Sequence, residues 1–106
     1  MIEEIEPVEL VSRQQAGELW QLLDVREAWE VETANIIGTV NIPMTAVPER
    51  LGELNPQLQT AVLCHSGGRS RRVAEYLKAC GFRRVANVSG GIDLWSQTVD
   101  ASIARY

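Results

Sequence analysis

The chain has 106 residues, of which 45% are hydrophobic and 23% charged, and a formal net charge of −4. That length supports one hydrophobic core and predicts a single domain over residues 1–106. The acidic balance speaks against nucleic acid or an anionic membrane as a general partner, and no apolar run approaches a membrane span.

The acidic start, Met1-Ile2-Glu3-Glu4, lacks the basic and apolar regions of a signal peptide, which predicts a cytoplasmic location. Residues Glu3 to Glu6 read as a short first strand. Pro7 suits the first turn of a helix that carries Val8, Leu10 and Val11 inward. Leu19 to Val25 is a β-prone run with little alternation, as expected of a strand covered on both faces. Asp24 and Arg26 fall at its C-terminal end, the edge where open α/β sheets hold ligands, and as an ion pair they would brace the local loops. A short helix from Glu27 to about Glu32 leads to the turn at Gly38 and a third strand at Val40-Asn41-Ile42.

Pro43 ends that strand, and Thr45 to Leu54 reads as a weak helix interrupted by Pro48 and Gly52. A fourth strand ends on Ala61-Val62-Leu63, and Ser70 to Cys80 has the clearest helical spacing in the chain, with Val73, Ala74 and Leu77 on one side. Gly81 reads as the left-handed residue that ends this helix, and Cys80 as part of its apolar face. Arg84 to Val88 is a fifth strand, followed by Ser89-Gly90-Gly91 and a last helix with Ile92, Leu94 and Trp95. Alternating strands and helices predict an α/β fold: a five-stranded, mostly parallel sheet with helices on both faces.

Between the fourth strand and its helix lies Cys64-His65-Ser66-Gly67-Gly68-Arg69-Ser70. The first N–H groups of a helix have no intrahelical partners and carry partial positive charge. Two glycines let such a loop turn its amides inward as an anion-binding nest, and Arg69 adds a full charge beside Arg71 and Arg72. An ordinary thiol is only about 3% ionised at pH 7, and this setting favours the thiolate. A bulky residue at Gly67 or Gly68 is expected to distort the cradle. Ser66 and Ser70 offer hydroxyl donors, Ser70 also as a helix cap, and His65 reads equally as a group facing a bound substrate or as a solvated loop histidine. Cys64 and Cys80, at opposite ends of a helix, are too far apart to form a disulfide. Two cysteines and one histidine at these spacings match no metal motif, so neither metal nor cofactor is expected. The loop alone leaves phosphate and sulfur chemistry both open.

Several separated motifs together resemble the single-domain rhodaneses: Leu23-Asp24-Val25-Arg26-Glu27, Ile37-Gly38-Thr39-Val40-Asn41-Ile42-Pro43, the loop from Cys64 to Ser70, Gly81-Phe82, and Asn87 to Trp95. Where many members carry a histidine before the turn, this chain has Thr33-Ala34-Asn35. The resemblance implies a rhodanese-like fold and a sulfurtransferase working through a persulfide on Cys64, with His65 to Ser70 as the substrate cradle and Asp24 and Arg26 in support. Four residues separate Cys64 from Arg69, whereas phosphatases of similar fold have five, and the family comparison associates the shorter loop with sulfur transfer. The implied partners are a small anionic sulfur donor such as thiosulfate and a nucleophilic acceptor, cyanide in an assay and a thiol or protein dithiol in the cell. A silent binding or redox-sensing module and a cysteine-dependent phosphatase are the alternatives.

Overall fold

The computed structural model describes residues 2–106. Five strands, β1 (Glu3–Ile5), β2 (Trp20–Asp24), β3 (Val40–Asn41), β4 (Gln59–Leu63) and β5 (Arg84–Val88), alternate with α1 (Pro7–Gln15), α2 (Ala28–Thr33), α3 (Gly68–Ala79) and α4 (Gly91–Thr98). The strands form one sheet in the order β1-β5-β4-β2-β3. Every pairing in it is parallel. Such a sheet needs cover on both faces, because its crossovers are helices.

Successive residues of a strand point to opposite faces, and the two cores follow that alternation. Leu23, Val62 and Val85 face α3 and pack with Val73, Ala74 and Leu77. Their sequence neighbours Leu22, Ala61 and Ala86 face α1 and α4 and pack with Leu10, Ile92 and Trp95. Leu23, Leu77 and Leu10 are fully buried, and each such side chain contributes about 1.5–3 kcal/mol by leaving water. In α1, Pro7 and Leu10 share the buried face. Val8, expected inward, is 52% exposed because one residue of helix turns it about 100° from Pro7.

Three further expectations change. The weak helix over Thr45 to Leu54 is instead two short 3₁₀ turns, Met44–Ala46 and Leu51–Glu53. Pro48, between them, cannot donate the N–H that would continue an α-helix. The clearest helix begins two residues early, with Gly67 as its N-cap at φ +115°, so Ser70 lies inside the first turn and is no cap. Cys80 is exposed. Gly81 does take the left-handed conformation, at φ +91°. Its N–H donates to the Lys78 carbonyl and that of Phe82 to the Leu77 carbonyl, and this closing turn sends Phe82, not Cys80, into the core.

The register aligns Asp24 with Leu63, so the chain leaves β2 and β4 at the same edge of the sheet. Val25 N–H donates to the Leu63 carbonyl at 3.0 Å, and Asn41 Nδ2 donates to the carbonyls of Asp24 (2.9 Å) and Arg26 (3.0 Å). These bonds bring the Asp24–Arg26 segment and the Cys64 loop together.

Candidate active site

Cys64 follows the last residue of β4 and is fully buried. Its sulfur accepts the Gly67 N–H at 3.1 Å and lies 3.3 Å from the Ser70 hydroxyl. Burial pushes the thiol pKa up, but the Ser70 hydroxyl and the amides of Ser70, Gly67 and Ser66 outweigh it and hold the thiol below its ordinary value. The nest expected at this helix start is therefore formed around the sulfur, with the left-handed Gly67 turning the chain. Gly68 contributes less: its φ is ordinary and a Cβ there would meet no heavy atom within 4 Å. A Cβ alone is therefore tolerated at Gly68, whereas any side chain at Gly67 is strained by its φ of +115°.

Ser70 also contacts Asn87 Oδ1, and Asn87 Nδ2 donates to the Gly67 carbonyl at 3.1 Å. A hydroxyl has one proton and cannot serve both neighbours at once. With the thiol protonated, S–H can donate to Ser70 while Ser70 donates to Asn87. With the thiolate, Ser70 turns its proton to sulfur.

Arg69 does not stand free at the rim. Its two terminal nitrogens each lie 2.7 Å from a carboxylate oxygen of Glu30, a bidentate pair. Glu30 is almost fully buried, and its other contacts are the Glu27 N–H at 2.9 Å and the Tyr106 hydroxyl at 2.9 Å. The Arg69 guanidinium holds the Glu30 pKa down at about 2, against the opposing effect of burial, with help from the Glu27 amide and the Tyr106 hydroxyl. Asp24 and Arg26 form the bracing ion pair, 2.7 Å apart with both side chains wholly buried. Arg26 also donates to the carbonyls of Glu30 and Ala34 and to the Tyr106 hydroxyl. His65 is half-buried, with its ring stacked on Tyr106 at 4.3 Å between centroids. Ser66 is exposed.

A buried cysteine at the start of a helix, ringed by amides, with an arginine closing the loop, is a geometry that a family comparison can place. The Rhodanese-like domain family matches residues 6–98. This chain belongs to the rhodanese-like family. The crystal structure of a rhodanese-like domain protein from Staphylococcus aureus superposes with a TM-score of 0.85 at 30% identity, covering 99% of each chain. The putative sulfurtransferase YtwF of Bacillus subtilis is 38% identical over 94 residues, 89% of this chain and 90% of the relative. The chloroplastic Rhodanese-like/PpiC domain-containing protein 12 of Arabidopsis thaliana is 44% identical over 90 residues, 81% of this chain, but this chain spans only 30% of that relative's length.

In this rhodanese-like domain the structure assembles Cys64 to Ser70 as one loop and seats Asp24 and Arg26 behind it. Three residues around the loop were not legible as site residues. Glu30 had a local signal: Glu27-x-x-Glu30 is a capping box, in which each side chain bonds the other's backbone N–H. Asn87 had one too, as an amide inside the apolar strand Val85-Ala86-Asn87-Val88, since a buried polar group there requires partners. Tyr106 had none, because its contacts with Arg26 and Glu30 span 80 and 76 residues.

The depressed pKa of Glu30 carries a pH signature. Its contribution to stability is fully present above its ordinary pKa near 4.5 and is lost as pH falls toward its folded value of about 2. Urea unfolding midpoints at pH 5 and pH 3 are expected to fall less in Glu30→Gln than in the wild type. Equal falls would mean that Glu30 is not held ionised by the fold.

Proposed function

We propose that this domain transfers sulfane sulfur through a persulfide on Cys64. The carrying observation is the sulfur of Cys64, buried at the start of α3 within a ring of N–H and hydroxyl donors. Family membership and the relative named a putative sulfurtransferase support this reading over the phosphatase. So does the loop of four residues between Cys64 and Arg69.

The Cys64 thiolate attacks the outer sulfur of an anionic donor such as thiosulfate. A Cys64–S bond forms, the bond to the sulfonate sulfur breaks, and sulfite leaves with the electron pair. The product, Cys64–S–S⁻, keeps its charge within the amide ring, where donors organised before reaction stabilise it without rearrangement. A nucleophile then takes the outer sulfur and restores the thiolate: cyanide leaves as thiocyanate, and a cellular thiol or protein dithiol leaves as a persulfide. Gly67, Ser66 and Ser70 supply the donors, and Gly68 starts the helix behind them. Arg69, charge-paired with Glu30, acts on the anion through its field and holds the loop's end. Asp24 and Arg26 hold the wall behind it. His65 flanks the path to the sulfur.

The test is intact-mass spectrometry after exposure to thiosulfate. A gain of about 32 Da, one sulfur atom, is expected in the wild type; it disappears with cyanide and is absent in Cys64→Ser. Alkylation of Cys64 in a Cys80→Ser background is expected to follow a titration with its midpoint below the ordinary thiol range. No adduct with thiosulfate, polysulfide or an organic persulfide, together with hydrolysis of p-nitrophenyl phosphate, would replace this reading with the phosphatase.

A further inference from the structure

One side chain, from the last residue of the chain as given, reaches both ends of the Cys64 loop. The Tyr106 ring stacks on His65 at 4.3 Å and 18°, next to the cysteine in sequence. Its hydroxyl lies 2.9 Å from Glu30 Oε1, the same oxygen that Arg69 Nη2 contacts at 2.7 Å. Arg26 Nη1 donates to that hydroxyl at 3.0 Å, so the hydroxyl accepts from a cation and donates to an anion. Trp29, 61% exposed, meets the Tyr106 ring in an edge arrangement, 6.0 Å between centroids and 76° between planes. The segment leading to Tyr106 has its own anchor, since Arg105 pairs with Asp93 of α4 at 2.9 Å. Asp93 N–H in turn donates to the His65 carbonyl at 3.1 Å. Three aromatic rings thus run in series from the surface to the residue beside a cysteine that exposes none of its own area.

We infer that Tyr106 is a specificity-determining residue: its ring, stacked on His65, forms a side wall of the approach to Cys64 and selects reactants by size. Small reactants such as thiosulfate and cyanide pass the wall, and bulky thiols are slowed by it. The wall is built from a ring, so size selection follows the ring and not the hydroxyl. Phenylalanine keeps the stack while dropping both hydrogen bonds, whereas alanine removes the stack as well.

The experiment compares alkylation of Cys64 by iodoacetamide and by fluorescein-5-maleimide in the full chain, in a Cys80→Ser background, because Cys80 is an exposed second thiol. Taking the ratio of the two rate constants within each variant cancels any change in thiolate fraction, and the rates are measured at a temperature where circular dichroism shows each variant folded, because an unfolded chain has no wall. Tyr106→Ala is expected to raise the bulky-to-small ratio at least fivefold, and Tyr106→Phe to keep it within twofold of wild type. Tyr106→Leu serves where alanine fails to fold, with a rise of at least twofold expected. An unchanged ratio in Tyr106→Ala or Tyr106→Leu would overturn the inference, and so would a rise in Tyr106→Phe as large as in alanine. A second arm rests on the sulfur-transfer reading and compares discharge of the Cys64 persulfide by cyanide and by glutathione; the glutathione rate is expected to gain relative to cyanide in Tyr106→Ala. Because alkylation needs no sulfur donor, failure of persulfide formation and failure of the wall are read separately.

Discussion

Asp24→Ala is expected to destabilise the protein by about 3–5 kcal/mol, the cost of leaving a buried charge without its partner. Arg26 is wholly buried, and three of its contacts are to Asp24: Nε to both carboxylate oxygens at 3.0 and 3.1 Å, and Nη2 to Oδ2 at 2.7 Å. The carbonyls of Glu30 and Ala34 remain as acceptors in the variant, but neither carries the compensating charge. A loss of that size is a large share of the ~5–15 kcal/mol that stabilises an ordinary domain. Urea unfolding followed by tryptophan fluorescence measures it. Asp24→Leu combined with Arg26→Met is expected to recover part of the stability, since an apolar pair of similar volume needs no charge compensation. If the double variant is as unstable as the single one, the pair matters for the backbone contacts of Arg26 more than for its charge.

Gly91→Ala is expected to lower sulfur transfer by about two orders of magnitude, since displacing a reacting group by roughly 1 Å costs on the order of 10²-fold. A Cβ at this position would lie 2.4 Å from the Cys64 carbonyl oxygen and 2.5 Å from that of His65. Both neighbours are backbone, so no side-chain rotation relieves the overlap. The two carbonyls are fixed by the first amides of α4, from Ile92 at 2.9 Å and Asp93 at 3.1 Å. The clash therefore moves the Cys64 loop itself. Gly91 also has φ +59°, and left-handed backbone at a residue with a side chain adds about 1–3 kcal/mol of strain. Gly68→Ala supplies the contrast, because nothing lies within 4 Å of its Cβ position and its φ is ordinary. Persulfide formation by mass spectrometry is expected to be near wild type in Gly68→Ala and strongly reduced in Gly91→Ala. Equal activity in the two would remove Gly91 from the account of the loop.

Tyr106 and Glu30 change how the arginine of the loop is understood. From the sequence, Arg69 reads as a full charge at the edge of the loop that attracts an anion or braces the loop through its carbonyls. In the fold its guanidinium is forked onto a buried carboxylate that an aromatic side chain also holds. On the proposed reading, much of the attraction for an anionic donor then falls to amides, which carry no counter-charge to displace.

The succession of five strands and four helices and the parallel character of the sheet were legible along the chain, because apolar runs of strand length alternating with helical spacing favour a covered parallel sheet; the order of the strands across the sheet was not. So were Gly81 as a helix terminator and the glycine turn that brings amides to the Cys64 sulfur, since both are local: a positive φ or a row of unpaired amides is created by residues adjacent in sequence. Beyond the Asp24–Arg26 pair, the supports of the site were not legible. Glu30 under Arg69, Asn87 against Ser70, Tyr106 on His65 and Gly91 under the Cys64 carbonyl lie 39, 17, 41 and 27 residues from the groups they touch. Cys80 missed the core for a related reason: the closing turn after α3 gave its place to Phe82. Sequence alone determined a thiol at the start of a glycine-turned helix. The tertiary structure decided what stands around it, because contacts between distant residues depend on how strands register across the sheet, and no local pattern encodes that.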